Sequence, residues 1–386
     1  MTRYTALTWD HPRGYDALAR AAEHFNAAHA GDTLVWETQP LEGFESHPIA
    51  DLCSRYDLVV LDHPHIGEAI AADCLLPLET VFPQRFLDAV AHSTVGPCLE
   101  SYRMAGRTWA LPLDAATQVM AVQPDNLKDS VPTTWDRLIA YAERHGGVAL
   151  CLAGPHALLT FLSIVASLGH RRFDDAGSRF IPREAGRQAY EILRRLFAAP
   201  SRAAIEMNPI RMLGHMTVSR DIAICPLIYQ YVTYSERDQA RPLDVYDAPR
   251  VASSSRPGSI LGGTGIAVST RCQMSPALAD HLQWLMSDTA QAGIVVDANG
   301  QPSAVSAWRS AAVNGDVRNF YRNTLETMSA ASIRPRFDGY IAAQSRLSAH
   351  IRDSLATGRS IDDFMVSIAD YLVLEGKEGL VRGHAA

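Results

Sequence analysis

The chain has 386 residues, of which 47% are apolar and 20% are charged, so it has the composition of a folded globular protein rather than a disordered, collagen-like or coiled-coil chain. Its 35 Lys and Arg residues are outnumbered by 42 Asp and Glu residues, which gives a formal net charge of −7. An acidic chain without a basic run lacks the charge that nucleic acids and anionic membranes require, so we expect small molecules or proteins as partners.

The first 75 residues alternate between predicted strands and helices. The predicted elements are strands at 5–9, 33–38 and 57–61 and helices at 15–28, 48–55 and 67–74. This β-α-β-α-β order is typical of a doubly wound parallel sheet, and right-handed crossovers then give the strand order 2-1-3. Ligands of such sheets bind beyond the carboxyl ends of the strands where the order reverses, here after 5–9 and after 57–61.

The sequence Asp-His-Pro follows both of these strands directly, at 10–12 and 62–64. Proline stiffens each loop, and the helix that follows offers unpaired N–H groups, so the two loops form a candidate site for an anionic or polyhydroxylated ligand. The candidate ligand contacts in these loops are Asp10, His11, Arg13, Asp62, His63 and His65.

Two other interpretations of these loops remain open. In the first, each Asp caps the helix that follows it and each His is a solvated loop residue. In the second, His63 and His65 bind a metal together with Asp62 or His11. Because a His-x-His pair on a loop is a weak metal signal, we expect no metal ligands in this chain.

The remainder of the chain continues as an α/β sequence and then becomes helical. Gly146 and Gly147 end the predicted helix at 134–145, and a proline lies near the start of the predicted helix at 182–198. The predicted strands are 107–113, 117–122, 148–152, 221–226 and 261–268, and the predicted helices are 134–145, 157–168, 182–198, 276–287, 289–296, 317–329, 337–357 and 361–374.

Motifs for cofactors and nucleophilic catalysis are missing from the sequence. Gly262, Gly263 and Gly265 precede a strand rather than follow one, so they do not form a dinucleotide-binding fingerprint. No Walker A, G-x-S-x-G or H-E-x-x-H motif occurs, and we expect no cofactor and no catalytic residue. The six cysteines are at least 21 residues apart, so we expect buried structural thiols.

The order of these elements resembles the extracellular solute-binding protein family 1, the maltose-binding-like proteins of ABC importers. Each motif is weak alone, but their order over about 370 residues is specific. The segments that carry the resemblance are 56–60 (YDLVV), 75–78 (LLPL), 105–112 (AGRTWALP), 261–268 (LGGTGIAV), the helix at 282–291, 299–303 (NGQPS) and Arg334-Pro335.

The resemblance implies a type II periplasmic-binding-protein-like α/β fold, in which each of two lobes has a mixed or parallel sheet flanked by helices and the ligand cleft lies at the hinge. The N-terminal lobe would comprise 1–115 and 259–310, and the C-terminal lobe 116–258 and 311–386. The implied function is capture of a sugar, polyol or organic acid by a monomer, for delivery to ABC transporter permease subunits. The implied location is periplasmic or extracellular, whereas the absence of a signal peptide in this sequence makes a cytoplasmic protein the alternative.

Further site residues follow from the ends of strands and from the expected lobes. Asp114 lies near the first crossover, Gly263 at the return strand, and Tyr229 and Tyr231 in the second lobe. Trp9 and Trp109 are candidate stacking platforms for a sugar, with core packing as the alternative. Together with Arg13, the histidines at 11, 63 and 65 predict a locally cationic site that suits a carboxylate or phosphate group.

Two other functions fit the same scaffold. One is an isomerase or lyase in which the Asp-His pairs supply acid–base chemistry and Arg13 holds a substrate carboxylate. The other is a cytoplasmic sensor that signals by lobe closure. Ligand turnover identifies the enzyme, and a protein partner identifies the sensor.

Overall fold

The computed structural model describes residues 2–29, 31–173, 181–197, 199–251 and 256–368, which fall into two compact units. Unit 1 comprises Met1–Ala116, Gly262–Gly315 and Arg336–Asp338. Unit 2 comprises Thr117–Leu261, Asp316–Pro335 and Gly339–Ala386. Each unit is therefore assembled from separate stretches of the chain.

The secondary structure is mixed, with short strands and many helices. The strands are β1 (Thr2–Trp9), β2 (Asp32–Gln39), β3 (Leu58–Leu61), β4 (Arg103–Met104), β5 (Arg107–Thr108), β6 (Leu111–Asp114), β7 (Gln118–Val122), β8 (Ile224–Tyr229), β9 (Asp244–Tyr246) and β10 (Thr264–Val268). The helices are α1 (Pro12–Ala28), α2 (Leu41–Ser46), α3 (Ile49–Arg55), α4 (Ile66–Ala71), α5 (Gln84–Ser93), α6 (Cys98–Ser101), α7 (Trp135–His145), α8 (His156–Ser167), α9 (Arg183–Leu196), α10 (Ala199–Ala203), α11 (Pro209–Val218), α12 (Pro276–Leu285), α13 (Asp288–Ala292), α14 (Ile294–Asp297), α15 (Val305–Arg309), α16 (Ala311–Gly315), α17 (Phe320–Asn323), α18 (Leu325–Ser329), α19 (Tyr340–Ala356) and α20 (Ile361–Ser367).

The main sheet of unit 1 has the order β2-β1-β3-β10-β6, so the predicted order 2-1-3 is confirmed. Strand β1 is parallel to β2 and β3, whereas β10 is antiparallel to both β3 and β6. Strand β6 therefore runs in the same direction as β3. The carboxyl ends of β1, β3 and β6 and the start of β10 meet at one edge of the sheet, which we call the carboxyl edge.

Unit 1 is completed by a short segment from late in the chain, Arg336–Asp338. The Arg336 guanidinium donates to the carbonyls of Glu100, Ser101 and Arg103, at 3.1, 3.0 and 2.7 Å. A Cβ atom added to Gly67 would lie 1.6 Å from the Arg336 carbonyl oxygen, so only glycine allows this close approach to α4.

Unit 2 contains an antiparallel sheet with the order β8-β7-β9 and a helix, α8, in which every residue is buried. The predicted apolar helix at 157–168 is thus confirmed, since a helix that is apolar all round must be enclosed by other elements. Helix α7 begins where Thr134 accepts a hydrogen bond from the Arg137 N–H and ends at Gly146, which has φ of +66°. The end at Gly146 is the one that the sequence predicts.

Several predicted elements differ from the structure. The predicted strand at 148–152 forms a single bridge, Val148 to Ile224, because the Leu150 N–H donates to the Ser201 hydroxyl instead of to a strand. The predicted helix at 317–329 is split into α17 and α18, preceded by Arg318 and Asn319 with φ of 55° and 59°. The predicted strand at 221–226 is shifted to β8, and helices α5 and α11 and strand β9 were not predicted.

The ends of two other predicted helices, residue 198 and residues 369–374, lie outside the described residues. Within the described residues, no helix is both long enough and apolar enough to cross a membrane. All six cysteines are described, buried and outside any disulfide, which confirms the prediction of buried thiols.

Candidate functional site

The carboxyl edge of the unit 1 sheet brings together most of the predicted ligand contacts. The register pairs Gly265 with Leu61 and Thr264 with Asp114, so the residues that follow β1 and β3 lie beside the end of β6. The predicted residues at this edge are Trp9, Asp10, His11, Arg13, Asp62, His63, His65, Asp114 and Gly263.

A buried ion pair lies at the centre of this edge. Arg13, in the first turn of α1, donates from Nε to Asp114 Oδ2 at 2.8 Å and from Nη2 to Asp114 Oδ1 at 2.5 Å. Both side chains are 4% exposed. Burial raises the pKa of Asp114, Arg13 acts against that rise, and the nearby Asp62 carboxylate adds to it. The charge of Arg13 is therefore balanced by Asp114, and its role as a ligand contact stays a prediction.

His11, rather than Asp10, caps α1. The His11 Nδ1 accepts a hydrogen bond from the Arg13 N–H at 3.1 Å, while the Asp10 side chain is exposed. Burial, and secondarily the charge of Arg13, lowers the pKa of His11 to about 4. A lowered pKa leaves His11 neutral at pH 7, and its role as a ligand contact stays a prediction.

The second predicted loop begins a 3₁₀ turn, His63–His65. Asp62 Oδ1 accepts a hydrogen bond from the His63 N–H at 3.0 Å, so the capping interpretation is correct for Asp62. The two histidines are buried rather than solvated: His63 Nδ1 lies 3.3 Å from Asp62 Oδ1, and His65 Nδ1 lies 3.9 Å from Glu68 Oε2. Among the described residues, no group of three or more His, Cys, Asp or Glu is placed to hold a metal ion.

Both tryptophans that were candidate stacking platforms pack in the interior of unit 1. The Trp9 ring lies 5.2 Å from the Phe44 ring, with the Arg13 guanidinium 5.8 Å above it. Trp109 is part of a buried cluster, and its Nε1 donates to the Met104 carbonyl at 3.0 Å. The core-packing alternative therefore describes both residues.

Gly263 shapes the backbone of the edge. Its φ is +82°, and a Cβ atom at this position would lie 2.4 Å from the Asp114 carbonyl oxygen. The Gly262 N–H donates to the Ala116 carbonyl at 2.8 Å, so the two chain segments are held against each other. Gly263 thus permits the close approach that holds Asp114 opposite the start of β10.

We expect the substitution Gly263→Ala to lower the free energy of unfolding by about 2–3 kcal/mol, since it adds both a strained φ and a clash with backbone. Gly106→Ala is the matched control, because Gly106 has φ of +73° and no atom within 4 Å of an added Cβ. The control should cost only about 1 kcal/mol. Urea unfolding followed by circular dichroism measures both, and equal losses would contradict the importance of the contact with Asp114.

The two predicted tyrosines belong to unit 2, where they have different environments. Tyr229, at the end of β8, is half-buried, donates to the Leu261 carbonyl at 3.3 Å and meets the His156 ring edge-on at 5.8 Å. Tyr231 is buried in an apolar cluster with Met212. Tyr229 remains a predicted ligand contact, whereas Tyr231 is a core residue.

Several polar residues near these positions were not predicted. Gln301 joins the carboxyl edge, where its Nε2 donates to the Ala115 carbonyl at 3.2 Å and its own carbonyl accepts from the Ala115 N–H at 3.2 Å. Tyr102 donates from its hydroxyl to the Leu61 carbonyl at 3.2 Å. In unit 2, the buried residues Gln230 and His156 accompany Tyr229. Gln301 lies in the turn sequence NGQPS, which indicated the family resemblance but not a site residue. No sequence pattern marks Tyr102, Gln230 or His156.

No family model matches the sequence, and no curated protein sequence matches it. Solved structures match almost the whole chain. Maltose-bound MalE3 of T. maritima has a TM-score of 0.80 at 15% identity, covering 96% of this chain and 99% of its own. A solute-binding protein of an ABC transporter from Agrobacterium radiobacter K84, in complex with ribitol, has a TM-score of 0.77 at 18% identity, with coverages of 99% and 98%. The GacH receptor of Streptomyces glaucescens, solved with and without acarbose, has a TM-score of 0.77 at 18% identity, with coverages of 97% and 99%.

These identities are low, so the likeness concerns the fold. The chain has the α/β fold of maltose-binding-like solute-binding proteins, with sheets flanked by helices, and the predicted fold class is confirmed.

Proposed function

We propose that this chain is a solute-binding protein that captures a small polar ligand and delivers it to the permease subunits of an ABC importer. The observation that carries this proposal is the correspondence along nearly the full length of both chains with binding proteins solved with maltose and with ribitol. The predicted lobes, 1–115 with 259–310 and 116–258 with 311–386, belong to the same proposal. So does a periplasmic or extracellular location, which fractionation of the native cells would test.

The charges at the carboxyl edge favour a neutral sugar or polyol over an organic acid. The Arg13 cation is matched by Asp114, and His11 is held neutral. Asp10 is exposed and the Asp62 side chain is 19% exposed, so the accessible charges at this edge are carboxylates. Carboxylate oxygens accept hydrogen bonds from ligand hydroxyls but repel a ligand carboxylate.

A thermal-shift screen of sugars, polyols and organic acids tests this proposal. A ligand at about 100 times its Kd stabilises the folded chain by about 2.7 kcal/mol, so at least one neutral sugar or polyol should raise the Tm of this 386-residue chain by about 3 °C. A screen in which only anions raise the Tm would contradict the ligand class, and one with no effect from any compound would contradict the function.

The variant Asp62→Asn tests whether the ligand binds at the carboxyl edge. Asparagine still accepts the His63 N–H, so the turn is kept while the carboxylate is lost. We expect the Kd of the identified ligand to rise at least about tenfold, as for the loss of a charge-assisted hydrogen bond. Glu23→Gln, which removes an exposed carboxylate from the middle of α1, is the control and should leave the Kd unchanged.

One observation favours an enzyme as the second candidate. Asp62 Oδ1 and His63 Nδ1 lie 3.3 Å apart, a carboxylate–imidazole pair suited to acid–base chemistry. The His63 side chain is fully buried, however, which favours binding over turnover. Incubating the identified ligand with the protein and analysing it by NMR separates the two: ligand recovered unchanged supports binding, and a product that is lost with His63→Ala supports catalysis.

A further inference from the structure

Asp338 and Gly339 form the only Asp-Gly sequence in the chain, and they lie in a turn directly before α19. The Asp338 side chain is exposed, and Gly339 has φ of +90°. We propose that this pair is a site of spontaneous aspartate isomerisation. In this modification the Gly339 backbone nitrogen attacks the Asp338 side-chain carboxyl carbon, and water opens the resulting succinimide ring to isoaspartate.

The two groups that react are both available in the folded chain. Among the described residues, the Asp338 carboxylate accepts no hydrogen bond and the Gly339 N–H donates none. Helix α19 begins without a side-chain cap, so the N–H groups at its start have no side-chain acceptor. Because glycine has no Cβ atom, nothing on Gly339 hinders the approach of its nitrogen to the carboxyl carbon.

The pair lies where the chain leaves unit 1 for the last time, since Arg336–Asp338 belongs to unit 1 and Gly339–Ala386 to unit 2. The residues just before it are held closely: a Cβ atom on Gly67 would lie 2.7 Å from the Phe337 carbonyl carbon. Isoaspartate routes the backbone through the side chain of Asp338 and adds one methylene to it. The modification therefore lengthens this connection directly beside a tightly packed segment.

The chain also contains two Asn-Gly sequences, Asn299-Gly300 and Asn314-Gly315. An asparagine forms the same ring and loses ammonia, which leaves more readily than the oxygen of a carboxylate. In an unfolded chain both asparagines should therefore react faster than Asp338, and asparagine is one of the thermolabile residues of proteins. The fold reverses this order, because it restrains both asparagines and leaves Asp338 exposed.

Asn299 is restrained at both reacting groups. Its Nδ2 donates to Asp16 Oδ2 at 2.7 Å, which fixes the side-chain amide. The Gly300 N–H, which would be the nucleophile, donates to the Val295 carbonyl at 2.8 Å. Ring closure at this sequence requires both hydrogen bonds to break.

Asn314 is restrained by burial and by its side-chain amide. The residue is 1% exposed, and its Nδ2 donates to the carbonyls of Trp308 and Ser310 at 2.9 and 2.8 Å. Water, which must open the ring, does not reach this side chain in the folded state. Asp338 differs from both asparagines because its carboxylate is exposed and is not hydrogen-bonded to the described residues.

The reaction needs only water. When the ring closes, the N–Cγ bond forms, the Gly339 nitrogen loses its proton, a Cγ–O bond of the carboxyl group breaks, and one water molecule leaves. When the ring opens, one water molecule adds. Attack at the main-chain carbonyl of Asp338 gives isoaspartate, and attack at the side-chain carbonyl restores aspartate. The net change is an isomerisation without a change of mass.

The test incubates the folded full-length chain at pH 7 and follows the peptides that contain Asp338, Asn299 and Asn314 by chromatography and mass spectrometry. Isomerisation gives a second peak of unchanged mass that an aspartate-specific protease no longer cleaves before residue 338, whereas deamidation raises the mass of a peptide. We expect isomerisation at Asp338 to be at least about tenfold faster than deamidation at either asparagine, since the asparagines react only after local opening.

Two controls separate the effect of the fold from that of the sequence. In urea, deamidation at Asn299 and Asn314 should become faster than isomerisation at Asp338. The variant Asp338→Glu keeps the charge but would need a larger ring, so its peptide should give no second peak, and circular dichroism establishes that the variant is folded. The proposal is overturned if the folded chain deamidates at either asparagine as fast as it isomerises at Asp338. It is also overturned if no isoaspartate forms at Asp338 in the time that both asparagines need to deamidate in urea.

Discussion

The substitution Asp114→Asn is expected to lower the free energy of unfolding by about 3–5 kcal/mol, because it leaves the buried Arg13 guanidinium without its counter-charge. The two Arg13–Asp114 hydrogen bonds lie in a region where both side chains are 4% exposed, so water cannot replace the lost carboxylate oxygen. Urea unfolding of wild type and variant, followed by circular dichroism at pH 7, measures the loss.

The double variant Arg13→Met with Asp114→Leu distinguishes a lost ion pair from a simple packing defect. Removing both charges eliminates the uncompensated cation, and apolar replacements of buried pairs are often neutral or stabilising. We therefore expect the double variant to recover most of the stability lost in Asp114→Asn. A double variant that loses as much as the sum of its single variants would contradict the assignment of a coupled pair.

Acidification from pH 7 to pH 4 is expected to destabilise the folded chain by about 3 kcal/mol through His281 alone. His281 lies in α12 with its ring 5.1 Å from Phe25 and 5.6 Å from Trp284, and burial, together with His29 and His24, lowers its pKa to about 4. Between pH 6.5 and pH 4 the unfolded chain binds a proton at this residue and the folded chain does not. Stability is therefore full above pH 6.5 and is lost as the pH falls toward 4.

The variant His281→Gln removes this titration. Between pH 7 and pH 4 its free energy of unfolding should therefore fall by about 3 kcal/mol less than that of the wild type. His92→Gln, which removes an exposed imidazole from α5, is the control and should keep the wild-type dependence. His11, whose pKa is also lowered to about 4, adds to the acid sensitivity of both variants. Identical pH profiles for His281→Gln and wild type would contradict this role of His281.

The location of the candidate site was predictable because parallel strands align their carboxyl ends. Two strands followed by Asp-His-Pro loops were enough to place Asp10 and Asp62 at one edge, and the structure has both loops there. What the loops do was less predictable. Arg13 pairs with Asp114, which is 101 positions away at the end of β6. Strand β6 joins the sheet only through β10, so no local sequence pattern relates the two residues.

Burial explains the other differences from the sequence predictions. The sequence does not show whether a tyrosine or tryptophan faces solvent or the core. Tyr231 and Trp9 were therefore predicted as ligand contacts, although both are buried. The caps of α1 and of the 3₁₀ turn at His63–His65 show the same limit, since the histidine of one Asp-His-Pro tripeptide (His11) and the aspartate of the other (Asp62) act as caps. The helix begins at Pro12, the third residue of the first tripeptide, but at His63, the second residue of the other, and the tripeptide does not encode this starting point.

The Arg336–Asp338 segment has a consequence for biosynthesis. Strand β1 is translated long before Arg336, and the carbonyls of Glu100, Ser101 and Arg103 receive the Arg336 guanidinium only once the chain has been made as far as that residue. Contacts of such sequence separation carry the largest loop-closure entropy and form late. We therefore expect nascent unit 1 to remain open to chaperones until Arg336 has been translated, even though its parallel strands β1, β2 and β3 are complete by residue 61.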